Sequence, residues 1–130
     1  MGKLKTDPIQ INLMGLLCKM ISPLSPLPVQ TIDAIVFIHP EDIVYITSAG
    51  NSVEIVDTTG AKWKRFDTVT ALEKRLKADP FFFKANRSGI VNLRQVRTLK
   101  NTSTGVHEVT FATLSAEHKV TIADSVFAAF

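Results

Sequence analysis

The 130-residue sequence predicts one mainly β domain, an antiparallel β-sheet with one or two short helices. Three observations predict this fold class. Short runs rich in β-branched and aromatic residues follow one another along most of the chain, Gly, Asn, Asp and Ser separate them, and one stretch alone has the apolar spacing of a helix. Strands joined by such brief turns pair with their neighbours in antiparallel orientation.

The first part of the chain, residues 1–31, is predicted to be an apolar segment followed by a proline-rich linker. The segment from Ile9 to Ile21 has 13 residues with one charge, Lys19, which is fewer than the roughly 20 apolar residues of a membrane span. We interpret it as a short helix or strand that packs on the domain or forms a homodimer contact. Prolines between Ser22 and Val29 favour an extended linker, so residues 32–130 are predicted to form the domain.

The strands are predicted from the short apolar runs of the domain, and the polar stretches between them are predicted to be turns. Residues 57–60 and 114–117 have the composition of hairpin ends, whereas residues 48–51 and 101–105 are predicted to be longer, flexible loops. The predicted strands are residues 35–38, 43–47, 52–56, 61–66, 81–83, 89–93, 96–100, 106–113 and 118–122.

One helix interrupts the strands after the fourth run. Val69, Leu72 and Leu76 have helical spacing and would face the core. Asp67 or Thr68 can cap its first turn, and the Asp79-Pro80 pair is typical of a helix end.

The cations of the chain are concentrated in its second half. Between Lys62 and Lys100 there are eleven Lys and Arg residues against three Asp and Glu residues, whereas the whole chain has a net charge of only +3. This asymmetry indicates a surface that faces a polyanion, and nucleic acid is the usual polyanion for a domain of this size. The alternative is that the charges are dispersed over a solvated surface.

No residue pattern predicts an enzyme, a cofactor or a metal site. His39, His107 and His118 lie in three separate segments, and no nucleophile or phosphate-loop signature occurs. The single cysteine, Cys18, excludes an intramolecular disulfide and suits a reducing, cytoplasmic compartment. Trp63, between two lysines, could stack on a base, but an inward-pointing core tryptophan is the more common arrangement.

The most informative stretch is the one that joins two apolar runs around residue 87. Phe81–Phe83 and Ile90–Leu93 are typical of packed strands, and the polar residues between them can all donate hydrogen bonds to a phosphate or a base edge. These residues are Lys84, Asn86, Arg87 and Ser88.

Five blocks in this order resemble the LytTR DNA-binding domain of bacterial transcription regulators. The resemblance covers about residues 32–130, and its most specific block is FFKANRSGIVNL, in which Asn86 stands where the family usually has His. The blocks are residues 41–46, Gly50 with Asn51, residues 64–66, the helix with Leu72 and Leu76, and residues 82–93.

The resemblance implies an elongated β fold that inserts loops into successive major grooves of double-stranded DNA. It implies that Asn51 and Arg87 read bases, since Asn can make two hydrogen bonds to adenine and Arg two to guanine. The other DNA-binding residues would contact the DNA backbone. Arg87 has an alternative role as a structural hydrogen-bond donor within its loop. The DNA-binding residues implied are Asn51, Ser52, Lys62, Lys64, Arg65, Lys84, Asn86, Arg87 and Ser88.

Two features depart from the family pattern. A third DNA-contacting region would fall at residues 123–125, where Asp124 replaces the usual basic element and would reduce affinity for a phosphate backbone. Only about 30 residues precede the domain, where the family commonly has a receiver or a sensor, so the chain is either a stand-alone regulator or a fragment. Asp124 and the N-terminal apolar segment leave open a second function, a protein-interaction module on the same scaffold.

Overall fold

The computed structural model describes residues 22–101, 106–115 and 117–122, and within them the chain is mainly antiparallel β, as predicted. One α-helix, α1 (Val69–Arg75), accompanies the strands, together with 3₁₀ turns at Pro40–Asp42 and Leu93–Gln95. The strands are β1 (Leu27–Gln30), β2 (Ile35–Ile38), β3 (Ile43–Ala49), β4 (Ser52–Asp57), β5 (Lys62–Arg65), β6 (Phe82–Asn86), β7 (Gly89–Asn92), β8 (Val96–Asn101), β9 (His107–Phe111) and β10 (Val120–Ile122).

A five-stranded sheet forms the centre of the fold, with strand order β5-β4-β3-β7-β6. Its middle strands are apolar at consecutive positions, as expected when both faces of a sheet are covered. Since successive side chains point to opposite faces, the aligned residues Ile46, Ile55 and Ile90 lie on one face, and Tyr45 with its partner Val56 lies on the other.

The first face of this sheet is covered by α1 and by the β1–β2 hairpin. Leu72 of the helix, Leu76 directly after it and Leu27 of the hairpin are almost completely buried against the isoleucines of the sheet. The burial of Val69, Leu72 and Leu76 confirms the predicted apolar stripe. The hydroxyl of Thr68 caps the helix by accepting the Ala71 N–H at 3.0 Å, which confirms one of the two predicted caps.

The opposite face is covered by a second sheet of strand order β10-β9-β8. Val109, Phe111 and Ile122 of this sheet pack with Tyr45 and Val91 of the first, and the rings of Tyr45 and Phe111 stack with centroids 5.1 Å apart. The central sheet therefore lies between two covering layers and exposes neither face along its middle strands.

The proline-rich stretch contains a strand that the sequence analysis placed in the linker. Leu27–Gln30 pair with Ile35–Ile38, and the alternating residues Leu27 and Val29 are buried. Proline is compatible with this position because β1 is an edge strand that pairs with β2 alone among the described residues. The domain boundary at residues 31 and 32 remains a prediction, and we propose that it be moved to a position before Leu27.

A buried ion pair joins the end of α1 to the turn after β7. The side chains of Asp79 and Arg94 are 0% and 6% exposed, and Nη2 of Arg94 lies 3.0 Å from both carboxylate oxygens, with its N–H directed at Oδ1. Asn92 continues the connection, since it accepts the Arg94 backbone N–H at 3.0 Å and donates to the Ile43 carbonyl at 2.8 Å.

Three predicted regions lie outside the described residues: the N-terminal segment from Ile9 to Ile21, residues 102–105 of the predicted loop, and residues 123–125. In the part of the chain that the structure describes, no helix has the length and apolar character needed to cross a membrane.

Candidate nucleic-acid interface

Two hairpin turns lie side by side at one end of the five-stranded sheet. Gly50 and Asn51 form the turn between β3 and β4, and Arg87 and Ser88 form the turn between β6 and β7. Because β3 pairs with β7 in antiparallel register, both turns come to the same end, where the Ser48 N–H donates to the Ser88 carbonyl at 2.8 Å. We call this end of the sheet, with its two turns, the turn end.

The turn between β3 and β4 is tight, which corrects the prediction of a longer flexible loop over residues 48–51. Strand β3 extends to Ala49, which pairs with Ser52, so only two residues connect the strands. Gly50 has φ +68°, the left-handed region that glycine adopts without steric cost and that suits the first position of a type II′ turn. Asn51 is exposed, whereas Ser52 is buried and donates its hydroxyl to the Ala49 carbonyl at 3.0 Å.

The turn between β6 and β7 is held by Asn86. Its Oδ1 accepts the Ser88 N–H at 2.8 Å, and its Nδ2 donates to the Thr121 carbonyl of β10 at 2.7 Å. Both ends of the amide are thereby used within the protein. The next two side chains, Arg87 and Ser88, are exposed.

The three cations of β5 lie in different surroundings. Arg65 donates from Nε to Asp67 Oδ2 at 2.9 Å, and its guanidinium also donates to the Pro28 carbonyl, which ties β5 to β1. Lys64 is exposed, with its ammonium 4.9 Å from the ring centroid of Phe66. Lys62 is exposed as well, but it pairs with Val56, towards the end of the sheet away from the two turns.

Lys84 faces the α1 side of the sheet, away from the second sheet. It aligns with Ile90, a residue of the α1-side core, and its ammonium lies 3.7 Å from Glu73 of the helix. Among the nine residues implied by the family resemblance, those exposed at the turn end are therefore Asn51, Lys64, Arg87 and Ser88.

Asp57 and Trp63 form a structural contact that removes Trp63 from the candidates for base stacking. Trp63 packs against the α1-side core and donates from Nε1 to Asp57 Oδ2 at 2.8 Å. Burial opposes ionisation of the Asp57 carboxyl, but hydrogen bonds from Thr59, Trp63 and the backbone of Ala61 outweigh it and lower its pKa.

The histidines are not gathered into one site. His118 meets the Tyr45 hydroxyl at 2.9 Å, and His107 meets Asn101 Oδ1 at 2.7 Å. Burial, with a smaller contribution from the negative charge of Glu54, raises the pKa of the Tyr45 hydroxyl. Over residues 22–101, 106–115 and 117–122, no group of three or more His, Cys, Asp or Glu side chains could hold a metal ion.

Sequence reasoning missed the internal roles of Asn86, Arg65 and Ser52. The Asn86 contact to Ser88 has a local signal, since an Asn that accepts the N–H two residues on is an Asx turn. The contacts of Asn86 to Thr121 and of Arg65 to Pro28 join residues 35 and 37 positions apart, and no local pattern reports them.

Comparison with known proteins finds a matching family and similar solved structures. The family model described as the LytTr DNA-binding domain matches residues 33–130. A solved structure, described as the LytTr DNA-binding domain of a methyl-accepting/DNA response regulator from Bacillus cereus, is similar with a TM-score of 0.70 and 15% identity, over 82% of this chain and 93% of that one. At that identity the likeness shows the fold alone. No curated protein sequence matches the chain.

Proposed function

The chain belongs to the LytTR family of DNA-binding domains, and from that membership we propose that it binds a specific double-stranded DNA sequence as a bacterial transcription regulator in the cytoplasm. The turn end of the central sheet enters the major groove. The proposal assigns the chain no catalytic reaction, no cofactor and no small-molecule substrate.

The observation that supports this proposal is the placement of two tight turns at one end of the sheet with Asn51 and Arg87 exposed. In the major groove, Asn can make two hydrogen bonds to adenine and Arg two to guanine. The strands behind them are packed on both faces, so the two side chains start from a rigid platform. Asn51 and Arg87 are proposed to read bases.

The remaining candidates divide into those that contact phosphates and those that shape the turns. Lys64 and Ser88 are exposed at the turn end, and Lys62 is exposed further along β5, so these three are proposed to contact the DNA backbone. Lys84, whose ammonium lies near Glu73, is proposed to contribute positive charge to DNA binding. We propose that Ser52, Arg65 and Asn86 act on DNA binding indirectly, through the hydrogen bonds that fix the turns and the edge of the sheet.

The test is selection of tight binders from a randomised duplex pool, followed by fluorescence anisotropy on the selected sequence between about 50 and 200 mM salt, where phosphate contacts are visible. An enriched motif with affinity falling steeply as salt rises is expected. A pool without enrichment, bound weakly at all salt concentrations, would contradict the proposal.

On the selected duplex, Arg87→Ala is expected to weaken binding by about 1–3 kcal/mol and to relax preference at one base pair. Lys77→Ala is the matched control. Lys77 is an exposed cation just beyond α1, near Phe82, and Phe82 pairs with Asn92 at the end of the sheet opposite the turns. Equal losses from the two variants would assign Arg87 to general charge rather than base reading.

Two copies are needed if the DNA site has two half-sites, and we propose that the chain forms a homodimer through the segment from Ile9 to Ile21. This segment contains one charge among its 13 residues. Apolar surface of that kind is typical of a contact that is buried in the assembled protein.

A second candidate function, a protein-interaction module, is favoured by one structural observation. Ile35, Phe37 and Phe66 expose 59%, 61% and 73% of their surfaces. Exposed apolar side chains this close together are typical of an interaction site. Failure of the duplex selection would make this the leading function.

A further inference from the structure

The β1–β2 hairpin has one buried side and one exposed apolar side. Leu27 and Val29 face the core, whereas the alternate register pairs, Pro28 with Phe37 and Gln30 with Ile35, face outward. Phe66, which follows β5, borders the same exposed side. We call the surface formed by Ile35, Phe37 and Phe66 the hairpin face.

A cavity of about 310 Å³ opens beside the hairpin face. A well-packed interface commonly places a large side chain of one partner in such a pocket, and these anchored side chains contribute most of the binding energy. The cavity is lined by Pro28, Gln30, Ile35, Lys64, Arg65 and Phe66.

Strand β2 lacks the features that protect an edge strand from pairing or aggregation. It pairs with β1 alone in the part of the chain that the structure describes, and its residues Ile35–Ile38 include no charge and no proline. Natural edge strands of this composition are usually covered by another segment. We therefore expect another apolar segment to cover the hairpin face.

We propose that the N-terminal segment from Ile9 to Ile21 of a second copy of this chain occupies the hairpin face. The segment offers leucine, isoleucine and methionine side chains with only Lys19 charged, which matches an apolar face and a pocket of this size. This assignment supplies the contact of the proposed homodimer. The variants that test it change no residue that is proposed to contact DNA.

The path of the chain favours a second copy over the segment's own domain. Leu24 packs against the α1-side core, which lies on the buried side of the hairpin, and Leu27 is buried on that side as well. The described chain thus enters the domain on the buried side of the hairpin, so a segment of the same chain would have to pass around the hairpin to reach the hairpin face, whereas a segment from another copy would not.

Reciprocal exchange of the segment between two copies closes a two-fold dimer with both faces covered. The 130-residue chain is therefore expected to elute with twice the mass of one copy in size-exclusion chromatography with light scattering. Phe37→Ser on the face and Leu17→Asp in the segment are each expected to weaken dimerisation roughly tenfold or more. Leu99→Ser, a change at a partly exposed leucine of β8, is the matched control and is expected to leave the dimer intact.

Disulfide trapping identifies the contact and its origin, since Cys18 is the sole cysteine and lies in the segment. Wild-type chain is mixed with a tagged chain that carries Cys18→Ser together with Ile35→Cys, and the mixture is oxidised. A mixed disulfide between Cys18 and the cysteine introduced at position 35 is expected as a heterodimer on a non-reducing gel. The tagged chain with Leu99→Cys instead of Ile35→Cys is expected to form little of it.

Three results would overturn the proposal. They are a wild-type monomer, a dimer insensitive to Phe37→Ser and Leu17→Asp, and a cross-link that forms only within one chain when Ile35→Cys is introduced into the protein that retains Cys18. The Phe37→Ser variant is also tested on a single half-site duplex from the selected DNA. Retained half-site binding by a monomer would separate failure of the dimer contact from failure of DNA binding.

Discussion

Asn86 and Arg87 are neighbours, but Asn86 is half-buried and bonded within the protein whereas Arg87 is exposed, and this decides what each can contribute. Both polar groups of the Asn86 amide bond within the protein: its oxygen accepts the Ser88 N–H, and its nitrogen donates to the Thr121 carbonyl. Arg87 is exposed at the tip of the same turn. The sequence predicted both as DNA contacts because both side chains can bind bases or phosphates, and only the folded chain distinguishes them.

We expect Asn86→Ala to lower the free energy of unfolding by about 1 kcal/mol, since it removes the hydrogen bonds to the Thr121 carbonyl and the Ser88 N–H, which water can then reach. Urea unfolding measures the change, and Arg87→Ala at the adjacent exposed position is the control with little effect on stability. If Asn86→Ala weakened DNA binding without any loss of stability, Asn86 would be a direct DNA contact instead.

Asp57 makes the free energy of unfolding depend on pH in the acidic range. Its pKa is lower in the folded protein than the ordinary value near 3.9, so its contribution is present above that value and is lost as the pH falls through the folded pKa. We expect the urea midpoint of Asp57→Asn to be lower than wild type at pH 7 and to fall less between pH 6 and pH 2.

The remaining acid dependence in that variant has a second source. Burial opposes ionisation of Asp67, but hydrogen bonds from Arg65 and the Thr68 backbone and the nearby arginine charges lower its pKa. If Asp57→Asn kept the whole wild-type loss of stability at acidic pH, the contacts of Asp57 to Thr59 and Trp63 would not control that loss.

At the scale of elements, the connections between strands depend on polar contacts that the apolar pattern does not predict. Asp79 lies beyond the last residue of α1; it accepts the Phe81 N–H at 3.0 Å, and Arg94 donates to it from the turn after β7. The helix ends at Arg75, before the Asp79-Pro80 pair that was predicted to stop it. The ion pair of Asp79 with a residue 15 positions later could not be predicted from local spacing.

We expect Arg94→Met to cost about 3–5 kcal/mol of stability, because it leaves the fully buried Asp79 carboxylate without its cation. The double variant Asp79→Asn with Arg94→Met is expected to lose less, since an amide is less costly to bury and its oxygen can still accept the Phe81 N–H. Urea unfolding of wild type, the two single variants and the double variant gives the coupling energy. A coupling near zero would mean that the pair contributes nothing beyond its separate side chains.

At the scale of the molecule, the cation-rich region from Lys62 to Lys100 is not one continuous surface. Arg65 and Arg94 are held by Asp67 and Asp79, and Lys84 lies near Glu73, whereas Lys64 and Arg87 remain exposed near the turns. The net charge of this stretch indicated a polyanion partner, but counting charges overestimated how many cations can contact such a partner at the same time.

Lys64→Ala is therefore expected to reduce the salt slope of specific DNA binding by about 1, the effect of losing one phosphate contact. Lys77→Ala serves again as the control and is expected to keep the wild-type slope. The slope is measured by anisotropy on the selected duplex. If Lys64→Ala kept that slope, Lys64 would be assigned to the packing of its aliphatic chain and ammonium on Phe66.

The sequence predicted the fold class, nine of the ten described strands and the helix with its apolar stripe, because each depends on local periodicity and turn residues. It missed β1, since its prolines favoured a linker, and it overestimated the length of the loop at Gly50. The exposed side chains of the candidate interface were predicted by resemblance. Their separation from Ser52, Arg65 and Asn86 depends on contacts formed only in the folded chain.

The covering of both faces of the central sheet separates two kinds of evolutionary change. A substitution on either face meets a packed core, whereas a substitution at Asn51, Arg87 or Ser88 meets solvent. If the turn end reads DNA as proposed, DNA preference can diverge between descendants through a few turn positions while the scaffold is inherited unchanged. Two proteins of this architecture with nearly identical cores would then recognise unrelated promoters.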